Sequence, residues 1–211
     1  MGAPVAIGVD SSTQSVKVEA RDLASGEVVA SGTAPHPPTT PPVSEQDPRE
    51  WWAALCTAMA SLGDVRRDAV SISVAGQQHG CVLLDADGAP VRPAKLWNDT
   101  TSAPNAAALV DRFGADVWAD RVGLVPVASF TISKLAWLAE HEPESLARTV
   151  RVMLPHDYLT WRMTGEHVTD RGDASGTGWY DPASCCRAGC GARSSAPGAR
   201  RSRSGWSSPP A

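Results

Sequence analysis

The chain has 211 residues, room for one well-buried core plus an appendage, and its 42% hydrophobic content is that of an ordinary globular protein. A net charge of −4 leaves no electrostatic footprint for nucleic acid or an anionic membrane surface. No stretch approaches the roughly 18 apolar residues of a membrane span, and residues 1–10 lack the basic start of a secretory signal, so a cytoplasmic protein is expected.

In chain order, residues 5–10 are a short apolar run ending on a carboxylate, 16–21 alternate after a polar turn, and 27–31 follow the Ser25-Gly26 turn signal. This pattern predicts a three-stranded meander. Residues 35–42, rich in Pro and Thr, predict a non-helical connector. Asp47 then stands as N-cap with Pro48 at the first helical position and Glu50 at the third. Trp51, Trp52, Leu55, Cys56 and Met59 form the stripe that turns this helix towards the sheet. Strands are expected at 70–74, 81–84 and 94–97, and mainly helix from 100 to 150, including 133–141 and a further helix opened by Pro143. Val152 and Leu154 read as strand, and 158–163 as a short helix stopped by Thr164-Gly165. Strands followed by a crossover helix and another strand indicate α/β layers.

The composition breaks sharply near residue 183. All 23 acidic residues and 14 of the 19 basic ones precede Ser184, leaving −9 there, while residues 184–211 hold five Arg and no acid. That last stretch has no Val, Ile, Leu, Met, Phe or Tyr and cannot bury enough apolar surface to offset its ordering entropy. The expectation is therefore a folded domain at 1–183 and a disordered, low-complexity tail at 184–211, such as a shifted reading frame of GC-rich DNA would encode. Cys185, Cys186 and Cys190 lie in this tail without the spaced pairs of a zinc site, whereas Cys56 and Cys81 read as small buried hydrophobes.

Three segments carry candidate chemistry. Asp10 at a strand end precedes a loop, residues 11–15, of small hydroxyl side chains. Such a loop can offer N–H groups and the hydroxyls of Ser12 and Thr13 to phosphate oxygens while Asp10 holds a hydrated Mg²⁺; the alternative is an ordinary Ser-rich turn. Gln77, Gln78 and His79 sit between Gly76 and Gly80 after a strand, where small residues let the backbone approach a ligand. Gln78 and His79 each donate and accept hydrogen bonds, which suits a polyol, although a structural histidine explains the position as well. Trp97, Asn98 and Asp99 offer an aromatic face beside two polar groups, or a helix start capped by Asp99. No Walker A or dinucleotide-binding fingerprint occurs.

Taken together these segments resemble the xylulose-kinase branch of the FGGY carbohydrate kinases. The resemblance runs through Gly8-Val9-Asp10 with Thr13 and Lys17, then residues 44–48 leading into Trp51-Trp52, then residues 76–80 and Leu96-Trp97-Asn98-Asp99. Ser129, Thr131, Lys134, Leu135, Trp137, Leu138, Glu140 and His141 fit a family signature, and residues 154–159, 164–166 and 173–177 match later blocks in the right order. Ser12 replaces a frequent Gly, and Thr101 stands where many relatives carry Arg. The resemblance implies a ribonuclease H-like, actin- or hexokinase-type ATPase domain with a mixed sheet. It implies ATP and Mg²⁺ as cofactors and D-xylulose as the sugar phosphorylated; the alternatives are another sugar or polyol kinase of the same family, or a non-catalytic sugar-binding fragment. Gln78, His79, Trp97, Asn98 and Asp99 would contact the sugar, Ser12, Thr13 and Lys17 the phosphates, and Asp10 the metal through water. It further implies that the catalytic base and most of the adenine pocket belong to a second half beyond these residues, so that the chain alone is expected to be inactive.

Overall fold

The alternation of the first thirty residues builds the expected meander: β1 (Val5–Ser11), β2 (Ser15–Asp22) and β3 (Val28–Pro35), each antiparallel to its neighbour. Val5, Ile7 and Val9 of β1 and Val16, Val18 and Ala20 of β2 are buried on one face, leaving Gly8, Asp10 and Lys17 exposed on the other. The third strand runs to Pro35 because β2 offers ladder partners back to Ser15, so the expected connector starts later. The computed structural model describes residues 2–182; the tail expected at 184–211, with its three cysteines, lies outside them. Met1–Asp181 form one unit.

After the Pro-rich connector, β4 (Glu45–Gln46) leads into α1 (Pro48–Ala60), whose N-cap Asp47 accepts a hydrogen bond from the Arg49 N–H at 2.9 Å. Trp51, Ala54, Leu55, Ala58 and Met59 face the sheet, while Trp52 and Cys56 of the expected stripe are only half-buried. They flank the i, i+3, i+4, i+7 seam rather than lying on it, and Trp52 packs under the Arg162 guanidinium at 4.6 Å. A 3₁₀ turn at Gly63–Asp68, unanticipated because six residues show no period, brings the chain to β5 (Ala69–Gly76). The fifth strand lies parallel to β1, giving the mixed sheet order β3-β2-β1-β5.

The remaining elements build a second layer. Two small antiparallel pairs, β4 with β7 (Ala94–Lys95) and β6 (Val82–Leu84) with β8 (Arg151–Met153), join segments distant in sequence. Between them run α2 (Ala103–Phe113), α3 (Ala115–Val122), α4 (Thr131–His141) and α5 (Pro143–Arg148). The sixth helix, α6 (Pro155–Thr164), begins three residues before the expected 158 and ends at Gly165 as expected. Pro155 tolerates the first helical position, and the Asp157 carboxylate accepts the Leu154 N–H at 3.4 Å, so Leu154 ends no strand but enters the helix. A single turn, α7 (Arg171–Ala174), follows. Cys81 is buried, and desolvation pushes its thiol up to about 12, so it is an inert core residue as expected. Among the described residues no helix is long and apolar enough to cross a membrane.

Candidate functional site

Two loops leave the same end of the four-stranded sheet, and a third, following β7 of a separate strand pair, meets them. The β1–β2 turn is tightened by the Ser12 N–H and hydroxyl, both donating to the Ser15 carbonyl at 3.0 Å. Beyond β5, the Gln77 N–H donates to the Ser11 carbonyl at 2.9 Å, so the loop at residues 77–79 begins beside this turn. The third loop carries Trp97, whose indole N–H donates to the Thr13 hydroxyl at 3.0 Å. That hydroxyl lies 3.4 Å from Gln77 Oε1, and the Thr13 carbonyl accepts from Gln46 Nε2 at 2.9 Å. Thr13 thus ties the three loops together.

A cleft of about 560 Å³ opens beside this hub, lined by Ser12, Thr13, Gln14, His36, Pro38, Thr39, Trp97 and Asn98. Ser12, Thr13, Trp97 and Asn98 of the expected site residues therefore share one cavity. Trp97 is 48% exposed, presenting a ring face, and Asn98 Oδ1 has no protein partner. The lining resembles a polyol site in kind: one indole, hydroxyls, two amides and an imidazole, and no carboxylate or ammonium. His36 and Gln46 escaped the sequence reading. His36 Nδ1 meets the Ser12 carbonyl at 2.9 Å, and burial lowers its pKa, leaving a neutral ring in the wall. Gln46 also donates to the Pro37 carbonyl at 2.6 Å and accepts from the Trp51 indole at 2.7 Å. A Pro-flanked histidine and a Gln before an N-cap have no pattern that sets them apart.

Asp10, the penultimate residue of β1, is exposed and is paired across the ladder with Lys17 and, in β5, with Ala75. The Lys17 ammonium binds Glu19 at 2.8 Å instead of turning to Asp10. Neither Asp10, Lys17, Gln78 nor His79 lines the cleft. A single exposed carboxylate near a strand end fits a Mg²⁺ ion that keeps most of its waters, and among the described residues no group of three His, Cys, Asp or Glu is arranged to hold a metal ion.

His79 is half-buried and held in the left-handed region at φ 62°, a conformation costing about 1–2 kcal/mol for a residue with a Cβ. Its surroundings over-determine it. The Thr131 hydroxyl donates to its carbonyl at 3.2 Å, Phe130 meets its ring edge-on at 4.8 Å, and the Gly176 backbone lies against the other side. Desolvation first, and then the Lys134 ammonium, lower its pKa, so the imidazole is neutral near pH 7 with one donor and one acceptor nitrogen. Burial likewise lowers Lys134 to about 8, its ammonium donating to the carbonyls of Ala128 and Ser129.

Two expectations need correction. Asp99 is fully buried, and its carboxylate is consumed by the Ser44 N–H, the Thr101 N–H and hydroxyl, and Lys95 Nζ at 3.2 Å. Burial opposes its charge, but these partners outweigh burial and hold its pKa low. It is an internal anchor with no face for a sugar, and it caps a turn rather than α2. Thr101, which also accepts from Lys95 at 2.8 Å, completes that buried network. The glycines around Gln77–His79 serve internal packing rather than ligand approach: a Cβ at Gly76 would meet His156 at 2.9 Å, and one at Gly80 would meet Pro155 at 2.5 Å.

Comparison with known proteins bears on the same residues. The model of the N-terminal domain of the FGGY family of carbohydrate kinases matches residues 5–184. A xylulose kinase of Streptomyces rubiginosus is 57% identical over 178 residues, covering 84% of this chain and 37% of that protein. A xylulose kinase of Actinoplanes sp. is 46% identical over 124 residues, 57% of this chain and 76% of the relative. The crystal structure of xylulose kinase from Bifidobacterium adolescentis superposes with a TM-score of 0.77 at 40% identity, covering 86% of this chain and 41% of the other. The mixed sheet with its helical layer is therefore the actin- and hexokinase-like fold expected from the sequence. The chain spans about 37% of the length of the first curated relatives it matches.

Proposed function

The chain belongs to the FGGY family of carbohydrate kinases, and from that premise we propose that it forms the sugar-side part of a kinase transferring the γ-phosphoryl of MgATP to the 5-hydroxyl of D-xylulose. The observation that carries the reading is the Thr13 hub, which fixes the hydroxyl loop and the Trp97 ring in the wall of one uncharged cleft and ties the start of the Gln77–His79 loop to them. In this assignment Trp97 and Asn98 hold the ketose, and Gln78 and the neutral His79 hydrogen-bond to its hydroxyls. Ser12, Thr13 and Lys17 face the phosphates. Asp10 would hold a hydrated Mg²⁺, which would supply positive charge for a phosphoryl transfer that depends on positioning and electrostatics.

Titration calorimetry of the 211-residue chain with D-xylulose, D-ribulose, glycerol and gluconate tests this. D-xylulose should bind best. His79→Ala should weaken it by the loss of one or two hydrogen bonds, roughly 1 to 3 kcal/mol, or about 5- to 150-fold. Equal binding of all four ligands, or an unchanged constant for the variant, removes His79 and the ketose assignment together.

A further inference from the structure

The imidazole of His156, at the second position of α6, is surrounded by three carboxylates. Its Nδ1 lies 2.6 Å from Asp173 Oδ2, and its Nε2 lies 3.3 Å from Asp157 Oδ1 and 3.1 Å from Asp170 Oδ2. The His156, Asp157 and Asp173 side chains are almost wholly buried, at 11%, 6% and 8% exposure, whereas Asp170 is 62% exposed. Nδ1 makes no aligned hydrogen bond despite its short approach, so the attraction is that of an ion pair. From β5, the uncharged Gly76 lies against His156.

The segment gripped by His156 leads to His79. Asp170 caps α7, accepting the Asp173 N–H at 2.8 Å, and α7 runs directly into Gly176. A Cβ there would stand 2.2 Å from both Cε1 and Nδ1 of the His79 ring. The Ile132 N–H, donating to the Thr177 carbonyl at 2.9 Å, fastens the far side of this wall to α4. One side is thus pinned by a backbone hydrogen bond and the other by a titratable ion pair.

We propose that His156 is a positioning residue: its imidazolium clasps Asp157, Asp170 and Asp173, seating α7 and the Gly176 backbone against the His79 ring, and loss of its proton loosens that wall. The short Nδ1 contact with Asp173 and the Asp173 charge raise the pKa of His156, with burial opposing and Asp157 and Asp170 assisting. A raised folded-state pKa means that the clasp contributes fully below the ordinary value of 6.5 and is lost as pH rises through the raised one. Burial raises the pKa of Asp157, and the His156 charge opposes that rise. The placement of α7 and His79 stands independently of the sugar assignment; only its effect on ketose binding rests on that reading.

The test is a histidine side-chain NMR titration of the 211-residue chain from pH 5 to 9, combined with amide exchange at residues 170–178. His156 should titrate above 6.5, and protection of residues 173–177 and the His79 ring resonances should change with the same midpoint. His156→Lys, which keeps the cation, should hold protection across the whole range, and His156→Gln should abolish the pH dependence. D-xylulose affinity should follow the His156 midpoint in the parent chain. A His156 midpoint at or below 6.5, or a titration that leaves residues 173–177 and His79 unmoved, overturns the proposal. If His79 and α7 respond while no sugar binds, the clasp stands and the ketose assignment falls. Should the variants fail to fold, the parent titration alone decides.

Discussion

The arrangement around His79 combines a backbone cost with a lack of room. A left-handed histidine is maintained only because Thr131, Phe130 and Gly176 each hold one part of it. Gly176 is the most sensitive of these, since any side chain there collides with the imidazole. Gly176→Ala should displace the ring or the 170–178 segment and destabilise the domain by about 1–3 kcal/mol, as overpacking does. Urea unfolding measures the loss, and the His79 resonances report the displacement. An unchanged midpoint with unmoved resonances would contradict the packing described.

At the scale of elements, the site depends on joints between segments that are far apart in the chain. Gln46, in the two-residue strand β4, joins three of them: the β1–β2 turn through Thr13, the Pro-rich connector through Pro37, and α1 through Trp51. Gln46→Ala leaves the buried Trp51 indole without its acceptor and frees the Thr13 carbonyl. With about 1–3 kcal/mol for each buried group left unsatisfied, a stability loss of about 3 kcal/mol is expected in chemical denaturation, with Trp97 fluorescence shifting as its Thr13 tether loosens. A loss below about 1 kcal/mol would mean that water replaces the amide. The outer edge of β5 has no strand partner among the described residues, and Val70 and Ile72 there are 64% and 41% exposed.

For the whole molecule, the proposed reaction asks how much of a phosphoryl-transfer site the described residues supply. The cleft is lined by no carboxylate, Asp10 is exposed, and Lys17 is engaged with Glu19. General-base loss alone costs roughly 10²- to 10⁴-fold, and loss of nucleotide positioning costs more. A coupled assay of ADP release with D-xylulose and MgATP should therefore read background for the purified chain, indistinguishable from its Asp10→Ala variant. Turnover near one per second that disappears in the variant would show that these residues form a complete active site.

The meander, the capped helix behind Asp47 and the order of the motifs were legible in the sequence because each rests on local rules: alternation, an N-cap with Pro after it, and glycine turns. The candidate loops were legible for the same reason, being polar segments at strand ends. What the sequence could not assign was how side chains far apart share or exhaust their hydrogen bonds. Asp99 reads as a polar group beside an aromatic, yet tertiary packing buries it under Lys95, Ser44 and Thr101. Gly76 and Gly80 read as ligand-facing, yet they make room for the start of α6. Gln46, His36 and His156 have unremarkable neighbours in the chain and acquire their roles from partners up to 33 residues away. Local patterns determined the elements and the loops, and only the folded chain decided which of their polar groups remain free to meet a ligand, because burial and pairing are properties of contacts that no short stretch of sequence contains.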